Sequence, residues 1–199
     1  MTKEVVVAYY RENIEWLGNV KDYKITIYNK SPFNIRNTIK LKNVGREMHT
    51  YFYHIIENYD NLSDVTFFTQ GNPFDHVSNY IEILNGYPQT LSHSILSVGD
   101  AYFFSDKLTF KCDMYGNDIY GNPYHPGLDM NVIWKTIFTS VTPENIEFTT
   151  GCFFCVTKEQ IKIRDLSFYR KCFELSKNRK NSPWEYERLM SFIFNQNII

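Results

Sequence analysis

Two unbroken runs of β-branched and aromatic residues, Val5-Val-Val-Ala-Tyr9 and Val65-Thr-Phe-Phe-Thr69, leave this chain few folds to choose from. A strand with one wet face alternates apolar and polar residues. A continuous apolar run signals burial on both faces, the condition of a sheet covered by helices. Between the runs, Met48, Tyr51, Phe52, Ile55 and Ile56 recur at helical spacing and form one apolar stripe that would lie against such a sheet. Arg11 to Leu17 has helical spacing through Ile14 and Leu17, and Lys24 to Tyr28 reads as a second strand ending in the turn cluster Asn29-Lys-Ser-Pro32. Strand, helix, strand, helix, strand implies a parallel sheet with right-handed crossovers. Ligands bind such sheets at the carboxyl ends of the strands. Those ends carry polar residues: Tyr9 to Glu12, Asn29-Lys30, and Gln70 to His76.

The rest of the chain is uneven. His76 to Leu84 reads as a helix, whereas Val98 to Cys112 and Gly116 to Pro126 read as an irregular excursion. That excursion would be a lid, an acceptor-binding wall or a plain insertion. No internal repeat is apparent. Gly151 to Thr157 is expected as a strand and Lys158 to Lys177 as one or two helices. A closing helix begins near Pro183, a favoured first-turn residue. Its buried stripe is Tyr186, Leu189, Met190 and Ile193, with Glu187 and Arg188 at the edge. A length of 199 residues suits one domain spanning 1–199.

The charge balance excludes one class of partner. Net charge is −1, and nucleic-acid binding rests on a basic excess that releases counterions from phosphates. The only basic cluster, Lys177 to Asn181, reads as a solvated loop rather than a phosphate patch. No segment approaches the ~20 apolar residues of a membrane span. Met-Thr-Lys-Glu leads into Val5 without the regions of a signal peptide, so a cytoplasmic location is expected. Of the four cysteines, Cys152 and Cys155 lie three apart on a strand. Their sulfurs would face opposite sides and not converge on a metal, so all four are expected to be buried structural residues.

Several rim residues suit the chemistry of an anionic ligand. Asp75 after the Gly-Asn-Pro turn would hold a divalent cation or cap the next helix, and His76 is a neighbouring ligand candidate. Asn43-Val-Gly-Arg46 precedes a helix N-terminus, which favours anions. Arg46 would add a bidentate cation there or pair with Glu47 or Asp75. Arg11 and Lys30 are similar candidates. Glu185 and Glu187 open the last helix and would serve as a general base or as favourable charges at a helix start. No nucleophile elbow, phosphate-binding glycine loop or dinucleotide fingerprint is present.

As a set, the segments Val5 to Leu17, Ile27 to Lys30, Asn43 to Glu47 with His49 to Tyr51, and Phe67 to Gly71 resemble a family of uncharacterised fungal, algal and viral proteins. Phe154 to Ile161, Phe168-Tyr169, Glu187 to Leu189 and Ile193-Phe194 extend the likeness along nearly the whole chain. The order of elements further resembles the small GT-A glycosyltransferases of large DNA viruses. That likeness implies an α/β fold, GT-A-like (Rossmann-like), with a mostly parallel sheet flanked by helices. It implies a sugar transferred from a UDP-type nucleotide-sugar donor to a glycan or other hydroxyl acceptor, in the host cytoplasm if the protein is viral. Mapped residue by residue, Arg11, Asn29 and Lys30 would meet the nucleotide, and Asn43, Gly45, Arg46 and Gln70 would surround the phosphates. Asp75 with His76 would hold manganese or magnesium, and Glu187 would face the acceptor. The Asp-x-Asp motif of those enzymes is absent from Gln70-Gly-Asn-Pro-Phe-Asp-His76, so Arg46 would replace part of the metal's charge. The competing expectations are a non-catalytic nucleotide- or glycan-binding module, or a metal-dependent hydrolase using Asp75, His76, His49 and His93.

Overall fold

A computed structural model describes residues 1–198. Its centre is a seven-stranded sheet built from β1 (Lys3–Tyr9), β2 (Lys24–Asn29), β3 (Ile39–Lys40), β4 (Val65–Gln70), β5 (Leu96–Val98), β6 (Ala101–Phe104) and β9 (Phe153–Thr157). The strand order is β3-β2-β1-β4-β9-β6-β5. The first four are mutually parallel, while β9 runs against both β4 and β6, and β5 against β6. The fold is therefore α/β with a mixed central sheet, parallel through its N-terminal half. Helices flank it: α1 (Arg46–Asn58), α2 (Tyr80–Asn85), α3 (Met130–Ile137), α4 (Lys158–Ile161), α5 (Leu166–Asn178) and α6 (Ser182–Ile193). A separate two-stranded ribbon joins β7 (Phe110–Asp113) to β8 (Asn145–Phe148).

The continuous run in β1 is explained by two cores. Val5, Val7 and Tyr9 pack with Trp16, Val65, Phe67, Tyr80 and Ile83 on one face. Val6 and Ala8 pack with Phe68 and with Met48, Tyr51, Phe52 and Ile55 of α1 on the other. Period-two alternation thus sends successive apolar residues to opposite layers. The expected stripe of α6, Tyr186, Leu189, Met190 and Ile193, is fully buried in the α1 layer. Each such side chain contributes roughly 1.5–3 kcal/mol relative to exposure. Cys152 and Cys155 lie in opposite cores, and all four thiols are free and buried.

Some expectations are corrected. Arg11 to Leu17 forms only a 3₁₀ turn, Glu15–Asn19. Glu12 Oε2 accepts from the Tyr10 and Arg11 amides, and Asn13 Oδ1 from the Glu15 amide, so side chains take the donors before a helix can start. The helix expected from His76 begins at Tyr80, because His76 and Val77 donate to the Pro73 carbonyl in a tight turn. Part of the expected excursion, Val98 to Cys112, contains β6, which lies between β9 and the edge strand β5 and at four residues is too short to give a periodic signal. A repeat is present as well: Asp113-Met-Tyr-Gly-Asn117 is followed by Asp118-Ile-Tyr-Gly-Asn122. In each pentapeptide the Asp Oδ1 accepts from the amides two and four residues on. Arg188 is not at an edge but buried, its guanidinium 4.6 Å from the Phe148 ring centroid.

Candidate functional site

The carboxyl ends of β1, β2 and β4 are tied into one rim. The Lys30 amide donates to Tyr9 O at 2.9 Å and the Gly71 amide to Ala8 O at 3.1 Å. Glu12 folds back over this rim, accepting the Tyr10 and Arg11 amides on Oε2 at 2.8 and 3.0 Å. A Cβ on Gly71 would stand 2.5 Å from that oxygen, so the carboxylate occupies the space a side chain would need. Trp16 closes the outside by donating its indole N–H to Gly71 O at 2.8 Å.

The start of α1 forms the opposite wall. Gly45 has φ +59, and a Cβ there would meet Ser176 O at 2.5 Å; glycine satisfies both demands. Arg46 also has positive φ, an uncommon conformation for a side-chain-bearing residue. Lys30, almost fully buried, fixes this turn from below: its ammonium donates to Val44 O at 2.6 Å and to Arg46 O. Burial lowers the Lys30 pKa to about 8, with Glu47 opposing the shift. Burial pushes the Glu47 carboxyl above the usual carboxylate range, Arg46 opposing and Glu187 reinforcing the shift. Arg46 Nε lies 3.6 Å from Glu47 Oε2, and its guanidinium stands over the Trp184 ring at 5.4 Å.

Between these walls lies a cleft of about 180 Å³ lined by Lys30, Asn43, Arg46, Glu47, Gln70 and Glu12, with Ala8, Tyr9 and Tyr10 at its base. A second hollow of about 460 Å³ adjoins it across Glu12, walled by Trp16, Phe74 and Asn72. Behind Gln70, its side-chain amide donates to Gly151 O at 2.9 Å, and the Gly151 amide donates to Glu187 Oε1 at 2.6 Å. The last helix thereby reaches the floor of the site.

The structure therefore brings Lys30, Asn43, Arg46 and Gln70 to one cleft and sets Glu187 behind it. Gly45 shapes the wall through its backbone. Arg11 lies at the exposed lip, its guanidinium over the rings of Tyr10 and Phe33. Asn29 is buried, its side chain spent on Ser31 and the Phe33 carbonyl within the turn after β2. Asp75 is exposed in the turn after β4, and the residue at the N-cap of α2 is Asn79, so Asp75 does not cap that helix. His76 packs half-buried against Phe153 at 5.6 Å, and burial lowers its pKa, with Lys107 acting in the same direction. His49 is buried against Phe173 while His93 is exposed on a separate 3₁₀ turn. Among the described residues no three His, Cys, Asp or Glu side chains are placed to share a metal ion. Glu185, the other carboxylate at the start of α6, is wholly buried and paired with Arg179 at 2.8 Å.

Sequence reasoning misses two participants. Glu12 carries no motif and is visible only as the end of the polar segment Tyr9 to Glu12 that follows a buried strand. Glu47 is visible only as a partner for Arg46, and its burial depends on packing that no local pattern records.

No helix among the described residues is long and apolar enough to cross a membrane. No curated protein and no solved structure matches the chain. Residues 5–90 match the family described as Protein of unknown function (DUF3431). A domain of that kind thus occupies the first part of the chain, and every residue lining the cleft lies inside it.

Proposed function

We propose that this chain is a nucleotide-sugar-dependent glycosyltransferase with a GT-A-like sheet, moving a sugar from a UDP-type donor to a hydroxyl of a glycan or other acceptor. The observation that carries the reading is one cleft at the strand ends that combines the cations Lys30 and Arg46 with the buried carboxylate Glu47. In such a transfer the bond between the sugar's anomeric carbon and the diphosphate breaks as a bond to the acceptor oxygen forms. The acceptor's proton passes to a carboxylate, and negative charge collects on the leaving diphosphate.

Arg46 is suited to that charge, because a guanidinium binds phosphate oxygens in bidentate fashion. Lys30 has three donors, two of them held by Val44 and Arg46 carbonyls, which leaves one for the ligand. Asn43 and Gln70 add neutral polar groups, and Arg11 at the lip would meet the nucleoside. A carboxyl with a raised pKa is a better proton acceptor than an ordinary one, so Glu47 joins Glu187 as the base. Asp75 and His76, in the turn after β4 and outside the cleft lining, would be the residues to hold manganese or magnesium, an ion that supplies positive charge when bound.

Thermal shifts with UDP and UDP-sugars, with and without manganese, test the reading. Stabilisation that Arg46→Ala abolishes, followed by turnover of a sugar nucleotide with an acceptor, is the expected result. Stabilisation without turnover on any acceptor would favour a binding module. If no nucleotide stabilises the protein, the transferase reading fails.

A further inference from the structure

The basic stretch Lys177 to Lys180 does not hang in solvent as an isolated loop. It folds against the Val44-Gly45-Arg46 turn and against Pro183-Trp184 to enclose a third depression of about 280 Å³. Arg46, Lys177, Arg179 and Lys180 all line it, and no acidic residue does. In a chain of net charge −1, four cations line one hollow, and Arg46, Lys177 and Arg179 each pair with a carboxylate outside that lining.

The carboxylates that answer these cations lie elsewhere. Glu185 is buried beneath Arg179, which it holds in place through two hydrogen bonds of 3.0 and 2.8 Å. Arg179 also donates to Asp129 O, so its position is set from two sides. Lys177 bonds Glu174 on the exposed face of α5. Lys180 has neither a hydrogen bond nor an ion pair among the described residues. Trp184 is gripped by His125 at 4.1 Å and stands under the Arg46 guanidinium, so the aromatic ring positions the cation shared by the cleft and this hollow. The start of α1 borders the same space, and the dipole of that helix adds to its positive potential.

We infer that this hollow binds a tetrahedral oxyanion, phosphate or sulfate, carried by the acceptor sugar. Arg46 lines both the cleft and this hollow, so an anion held here sits one side chain away from the donor cleft. The acceptor role rests on the transferase reading, whereas binding of the anionic sugar stands apart from it.

The test is titration of the whole chain with a hexose phosphate, a hexose sulfate, the unmodified hexose and inorganic phosphate, followed by Trp fluorescence and by isothermal titration. Lys180→Glu, on an exposed side chain, reverses charge without touching the core, and Lys177→Glu provides an independent second variant. The expected result is salt-sensitive binding of the phosphate- or sulfate-bearing sugar, no binding of the plain hexose, and an affinity loss of about tenfold or more in each variant. UDP-induced stabilisation should be unchanged in both variants. Equal binding of plain and charged hexose, or undiminished affinity in both variants, overturns the proposal. Binding of inorganic phosphate alone, with none of the sugar phosphate, overturns it as well. Hexose phosphate binding in a protein that ignores every nucleotide would preserve this site and defeat the transferase reading.

Discussion

Glu187 on the last helix accepts a 2.6 Å hydrogen bond from the backbone amide of Gly151, across 36 residues of chain. Gly151 in turn receives Gln70 on its carbonyl, so one residue carries α6 to the end of β4. The link requires an unusual backbone: Gly151 has φ +91, and the next residue, Cys152, also has positive φ.

Replacing Gly151 by alanine should therefore be costly. A Cβ would lie 2.4 Å from the Phe153 ring and 2.9 Å from His76, in a conformation that L residues rarely adopt. A loss of about 1–3 kcal/mol is expected, which in a chain of this size lowers Tm by roughly 2–4 °C per kcal/mol. Calorimetry would measure it. A wild-type Tm in Gly151→Ala would show that the turn is slack and the link unimportant.

Glu187→Gln keeps an acceptor oxygen for the Gly151 amide and removes the charge. That charge faces the buried Arg188 guanidinium at 3.4 Å, so stability should fall. If Glu187 supplies the base, turnover falls by about 10²–10⁴-fold. Loss of stability with full activity would assign the residue to the fold alone.

Glu47 should make the protein less stable as pH rises. Its folded pKa is raised above the ordinary carboxylate value, so between those two values the native state binds more protons than the unfolded state. Stability is greatest below that window and declines as pH climbs through it. Glu47→Gln should flatten the decline. Urea unfolding of both proteins across the acid to neutral range would reveal it, and parallel curves would count against a protonated Glu47.

The buried His54–Glu4 pair acts in the opposite sense. Burial lowers the His54 pKa to about 4, and Glu4, although burial acts to raise it, is lowered by His54 and by its bonds to Thr26, Lys24 and Ser63. Both groups resist protonation in the native state, so stability present above pH 6.5 should be lost as pH falls from there towards about 4. His54→Gln should reduce the steepness of that loss, measured by the same unfolding curves. An unchanged slope would assign acid lability to other carboxylates.

Lys30 ties β2 to the first turn of α1 through the Val44 and Arg46 carbonyls. Lys30→Met keeps the apolar stem and removes both bonds. A loss of about 2 kcal/mol is expected, since bonds to charged groups are the stronger kind, together with weaker nucleotide binding as the Arg46 turn loosens. Chemical denaturation and ligand titration read the two effects separately. Intact stability would place the Lys30 ammonium outside the turn.

The expected elements that proved correct are those with a local signal. The apolar runs of β1 and β4, the stripe of α1 and the stripe of α6 each record, within a dozen residues, which way a side chain must face to leave water. Three of the four parallel strands and the position of the rim follow from that order of elements by the handedness of crossovers, whereas the two-residue β3 carries no signal. Arg46, Lys30, Asn43 and Gln70 could be proposed for one site on those grounds.

Packing settled the remainder. Strand β6 is too short to announce itself, and β9 enters the sheet antiparallel because β4 and β6 offer edges that no sequence pattern describes. The environment of Glu47 depends on α5 and α6 closing over α1, and Asn29 is consumed by the turn it opens. The basic stretch 177–180 becomes a hollow only because Gly45, lacking a Cβ, lets α1 approach the Ser176 carbonyl. Periodicity is a property of neighbours in the chain. Desolvation and the convergence of charges belong to residues as distant as Gln70 and Gly151, 81 apart, whose meeting is decided when the helices dock on the sheet.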